Sequence, residues 1–105
     1  MVEQHVARIH TDNVVLDIGG GVGALILYTA PDLVGKEIEL SPVGDDAHRT
    51  HTDVHERITA GRTLFTAVYP ALAMGDYTIW NLAGQAAGRV TIRDGEVTEQ
   101  AWPDP

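Results

Sequence analysis

The sequence predicts an all-β fold, a seven- to nine-stranded antiparallel sandwich that takes in residues 1–105 as one domain. Three observations predict it. Apolar residues recur with period two through most of the chain, the spacing at which strand side chains share a face. No long stripe at the helical spacing of three and four residues accompanies them. Clusters of Gly, Pro, Asp and Asn interrupt the alternation at short intervals, as turns between strands require. A length of 105 residues suits one modest core, and a hydrophobic content of 44% excludes disorder as the state of the whole chain.

The elements follow in order. Val6–His10 and Val14–Ile18 are short β-branched runs around Thr11-Asp12-Asn13, an expected opening hairpin. Residues 23–29 are apolar in succession and stop at Pro31, which predicts a buried strand; Asp32–Val34 is expected to make one helical turn before Gly35. In residues 36–40, Ile38 and Leu40 alternate with charges and mark the core side. Residues 42–47 form a polar turn, and His48–Ile58 reads as a long polar strand, either at a sheet edge or with a solvated face. Residues 63–69 (TLFTAVY) read as a strand buried on both faces, and residues 70–75 as a connection. In residues 76–81, Tyr77 and Ile79 alternate with Thr78 and Trp80. Residues 84–88 are expected to be a loop. Val90–Ile92, Asp94-Gly95 and residues 96–99 carry the strongest hairpin signal in the chain.

Composition narrows the function classes. A net charge of −8 repels phosphate backbones and anionic lipid surfaces, so neither nucleic acid nor membrane is expected as a partner. The six arginines are scattered instead of gathered into a patch. The longest apolar run falls far below the ~20 residues of a membrane-spanning helix. The first ten residues lack the basic start and apolar block of a secretory signal, which makes a cytoplasmic location the expectation. Without cysteine, disulfides, thiolate nucleophiles and cysteine-type zinc sites are all excluded.

Residues 15–23 (VLDIGGGVG) resemble the first motif of Rossmann-type methyltransferases, and Glu39 resembles the acidic residue that binds ribose hydroxyls in that family. Two physical requirements fail. A helix should open directly after the glycines, yet Leu25, Ile26, Leu27 and Tyr28 offer no polar face and Pro31 ends the run. A parallel α/β sheet also needs repeated strand–helix units, and everything after Ser41 reads as strands and turns. The glycines are therefore expected to turn or bulge a strand, with no cofactor.

Residues 65–80 carry Leu72, Gly75 and Tyr77 in a "leucine, glycine, any residue, tyrosine" turn between two strands. This pattern resembles prealbumin-like sandwiches, including carboxypeptidase regulatory and collagen-adhesin B-type domains. The resemblance covers residue 36 to the end and implies a sandwich serving as an accessory module. The run Gly19-Gly20, one further residue, then Val22-Gly23-Ala24-Leu25 with Tyr28-Thr29, together with the histidine-rich strand, is similar to short bacterial proteins sometimes labelled phospholipase. The residues do not supply such chemistry: a serine hydrolase needs an activated serine beside a base, and the single serine, Ser41, precedes a proline and lacks a glycine-flanked elbow. A non-catalytic ligand-binding module is the favoured expectation.

One constellation permits other chemistry. His51, Asp53 and His55 project from one face of a strand at two-residue steps, with His48 nearby, and two imidazoles with a carboxylate suit zinc or a similar divalent metal. The bland alternative is a solvated strand face. The same face could form a homo-oligomer through an edge strand, with imidazoles meeting Asp53 or Arg57 of a second copy, and assembly would then respond to acid. Tyr69, Tyr77 and Trp80 are the aromatic set, read as core but with the chemistry to stack on sugars or peptides.

Overall fold

The computed structural model describes residues 16–103. Among them strands make up 60% of residues and no α-helix occurs. The strands are β1 (Val22–Tyr28), β2 (Glu37–Pro42), β3 (Thr50–Thr59), β4 (Arg62–Ala73), β5 (Gly75–Trp80), β6 (Ala86–Ile92) and β7 (Val97–Ala101), with a 3-10 turn at Pro31–Leu33. They form one sheet in the order β6-β5-β2-β3-β4-β1-β7. The all-β expectation stands, with the helical turn before Gly35 in place. The expected hairpin over Val6–His10 and Val14–Ile18 lies outside the described residues except for 16–18, which are not strand.

The sheet bends at β3. Residues 50–53 pair with β2 and residues 54–59 with β4, so one strand belongs to both halves. The inner faces of the two halves share one core: Ile38, Leu40, Tyr77, Ile79, Val90 and Ile92 meet Leu25, Leu27, Ala67, Tyr69 and Leu72, with Val54 at the bend. The Tyr69 hydroxyl crosses this core and donates to the Ile38 carbonyl, tying β4 to β2. Each fully buried Leu or Ile contributes roughly 1.5–3 kcal/mol of transfer free energy, so this shared interior is the main force holding the halves together.

Three expectations are corrected. Of the two alternatives for the polar strand His48–Ile58 the edge fails, because β3 is flanked by β2 and β4, and the solvated face holds, with His51, Asp53 and His55 exposed. The connection expected over residues 70–75 is mostly strand, since β4 continues to Ala73. Pro70 is tolerated because the β1–β4 register shifts between Gly23 and Leu25, leaving residues 70 and 71 unpaired in the ladder. Finally, Asp94-Gly95 makes its turn, but β6 and β7 do not pair with each other. β7 pairs parallel with β1, because the start of β1 occupies the turn. Ala24 N–H donates to the Glu96 carbonyl at 2.9 Å, and Gly95 N–H to the Val22 carbonyl at 2.9 Å.

The glycine run positions this start. Gly19, Gly20 and Gly21 have φ of 109, 66 and 92°, a left-handed course that side chains disfavour. Their polar groups serve the chain itself: Gly21 N–H donates to Asp94 Oδ1 at 2.7 Å and Gly19 N–H to the Val22 carbonyl at 2.8 Å. Strand β1, not a helix, follows them. The sheet's ends, β6 and β7, come back towards each other. Gln100 Nε2 lies 3.4 Å from the Arg89 carbonyl, and Pro103 packs against Gly88.

Candidate functional site

Alternation places Glu37, Glu39 and Ser41 on the face of β2 opposite Ile38 and Leu40. The register then decides their neighbours. Glu39 lies opposite His51 on β3 and opposite Trp80 on β5, so the outer surface of the β5-β2-β3 half gathers a carboxylate pair, an imidazole and an indole. Trp80 lies on the side of β5 away from Tyr77 and Ile79, which face the core.

These groups form a layered stack. The Trp80 indole N–H donates to Ser41 Oγ at 2.9 Å in a buried contact. Above the ring, Arg49 Cζ lies 3.7 Å from the ring centroid. Arg49 is fixed by two further contacts, Nη1 to Glu39 Oε1 at 2.9 Å and Nε to the Asp46 carbonyl at 2.6 Å. A guanidinium over an indole face contributes about 0.5–2 kcal/mol, more as water is excluded. Trp80 is only 9% exposed because of this cover. Ser41 is fully buried at the edge of the indole, where its hydroxyl accepts from the ring N–H and is closed to substrate.

Beside the stack runs a groove of about 200 Å³ lined by Glu37, Glu39, Asn81, Leu82 and Gly84. Asn81 shapes its far wall, since its Oδ1 accepts from the amides of Ala83 at 3.0 Å and Gln85 at 2.8 Å, folding the β5–β6 loop into an Asx-type turn. Leu82 stands 49% exposed at the rim. A second groove, about 300 Å³, lies between β6 and β7 and is lined by Asp76, Arg89, Val90, Thr91 and Gln100. Within it Thr91 Oγ1 donates to Asp76 Oδ1 at 2.7 Å.

The histidines are placed differently from one another. His51, Asp53 and His55 are all exposed on β3, but a strand rises about 3.3 Å per residue, which separates the ends of the set by about 13 Å, too far for one ion. His51 Nδ1 lies instead 3.3 Å from Glu37 Oε2. His55 sits opposite Thr66 of β4, past the bend. His48 Nδ1 lies 3.7 Å from Asp45 Oδ2 within the preceding turn. Among the described residues no group of three or more His, Asp or Glu is placed to hold a metal ion.

Of the aromatic set, Tyr69 and Tyr77 are core, as read. Tyr77 donates to the Ala73 carbonyl at 2.7 Å and pins the β4–β5 turn, and burial raises its pKa. Burial, with a smaller contribution from Glu39, also holds the Tyr69 hydroxyl well above the usual tyrosine range. Trp80 belongs to the aromatic set the sequence singles out, whereas Arg49, which covers it, is what sequence reasoning missed. The alternation of residues 76–81 separates Trp80 from the core-facing Tyr77 and Ile79, but nothing local pairs it with Arg49, 31 residues earlier in the sequence.

No family model matches the chain, and no curated protein matches it. A leucine-rich repeat protein from Bacteroides thetaiotaomicron VPI-5482 has a similar fold, with a TM-score of 0.51 and 16% identity. The similarity covers 79% of this chain and 12% of that one. At this identity the likeness concerns fold alone. No helix among the described residues is long and apolar enough to cross a membrane.

Proposed function

We propose that the chain is a non-catalytic, cytoplasmic binding module whose recognition surface is the outer face of β2, β3 and β5 around Trp80. The observation that carries this reading is the Arg49–Trp80 stack anchored on Glu39 beside an open groove. An aromatic ring with a carboxylate at its edge is a recognition device, and the one serine of the surface, Ser41, is buried and bonded to the indole. The resemblance of residues 65–80 to prealbumin-like sandwiches, which serve as accessory modules, supports the same class by analogy.

The test is a ligand panel of neutral oligosaccharides, basic peptides, acidic peptides and zinc, read by indole fluorescence and by amide chemical shifts. Binding that moves residues 37–39, 49 and 80–84 supports the reading; a panel that moves none of them overturns it. Self-association through an edge strand would use β6 or β7, the two ends of the sheet.

A further inference from the structure

The site already holds a cation, and that cation is the chain's own. Arg49 does not come from a strand. It stands on the irregular segment between β2 and β3, and to leave the ring its side chain gives up only the contacts to Glu39 and the Asp46 carbonyl. Its side chain is 30% exposed, and its guanidinium uses Glu39 but leaves Glu37, which faces the imidazole of His51. The adjoining groove carries both carboxylates and no basic residue, while Leu82 supplies an apolar wall suited to an alkyl stem. A net charge of −8 draws basic partners from a distance.

We propose that Trp80, Glu39 and Glu37 are a receptor for an arginine side chain of a basic partner polypeptide, and that Arg49 is its resident competitor. The proposal rests on the binding-module reading and names its ligand. A partner guanidinium enters along the Leu82 groove, pairs with Glu37, and takes the place over the indole as Arg49 swings to solvent. The resident arginine keeps the ring covered when no partner is present and sets a threshold that a lone, weakly charged ligand does not pass.

The experiment titrates a hexa-arginine peptide into the wild-type protein and into Arg49→Ala, Arg49→Gln, Arg93→Ala and Glu37→Gln/Glu39→Gln variants, each checked by circular dichroism. Removing the competitor is expected to tighten binding about two- to fivefold, the equivalent of one exposed cation–π contact. Arg93→Ala makes the same charge change at the distant β6–β7 turn and is expected to leave affinity unchanged. The double Glu variant is expected to lose the binding. Equal tightening in Arg49→Ala and Arg93→Ala overturns the proposal, because it reports net charge alone. So does unchanged or weaker binding in both Arg49 variants. A neutral oligosaccharide that moves the Trp80 signals while hexa-arginine does not would also overturn it and leave the binding-module reading intact.

Discussion

Gly23 shows how one missing side chain decides a fold detail. A Cβ there would lie 2.3 Å from the Arg93 carbonyl oxygen, 2.8 Å from Ile92 Cγ2 and 3.0 Å from the Glu96 carbonyl oxygen, and the nearest of these is backbone. Gly23→Ala is expected to cost at least about 2 kcal/mol, the range of severe steric lesions. Gly88→Ala should cost less, since its nearest obstacle is the Pro103 ring at 3.0 Å, which can shift. Urea titration of both variants checks the order, and equal losses would refute the account. Ser41→Ala leaves the Trp80 indole N–H without its buried acceptor, and a loss of about 1–3 kcal/mol is expected. If Ser41 acted as a nucleophile, an esterase activity would disappear with it; the burial of Ser41 predicts no such activity to lose. The glycine turn and the poor prospects of Ser41 are legible in the sequence, because both depend on immediate neighbours. The Arg49–Trp80 contact is not, because it joins two segments that only the β2–β5 register brings together.

At the scale of the element, β4 and β7 carry the lesson. Pro70 lies at the register shift of the β1–β4 ladder, so Pro70→Ala is expected to change stability by no more than about 1 kcal/mol, the entropy effect of freeing the unfolded backbone. Ala67, paired with Leu27 on one side and Val54 on the other, is the contrasting position, and Ala67→Pro should prevent folding. Thermal melts of the two variants separate these cases. Local sequence places the Asp94-Gly95 turn correctly, yet the pairing preference it signals is overridden. The carbonyl of Glu96 and the amide of Gly95 bond to β1, and once β7 is committed there a β6–β7 ladder has no place. The polarity of β3 reads correctly as a solvated face, and it says nothing about which strands lie at its sides.

For the whole molecule, the two buried core tyrosines set an alkaline limit. Burial penalises the charged tyrosinate, so the folded chain keeps the protons of Tyr69 and Tyr77 above the pH near 10 at which an unfolded chain releases them. The unfolded state then binds fewer protons than the native one, and stability falls as pH rises. The stabilisation from these groups is fully present below about pH 10 and declines above it. Urea midpoints measured on either side of that pH should drop on the alkaline side, with a shallower drop in Tyr69→Phe; an identical profile in the variant would refute the assignment.

What the sequence determined by itself was the strand character of most segments after residue 22 and the core face of β2. Alternation and turn chemistry are properties of a few neighbouring residues, and burial acts on them in the same way wherever the strand lies. Only the tertiary structure decided the order of the strands, the parallel β1–β7 pair and the bend at β3. It also separated the histidines and brought Arg49 over Trp80. Each of these depends on the register between segments far apart in the chain, which is fixed by how the two halves fill their common core.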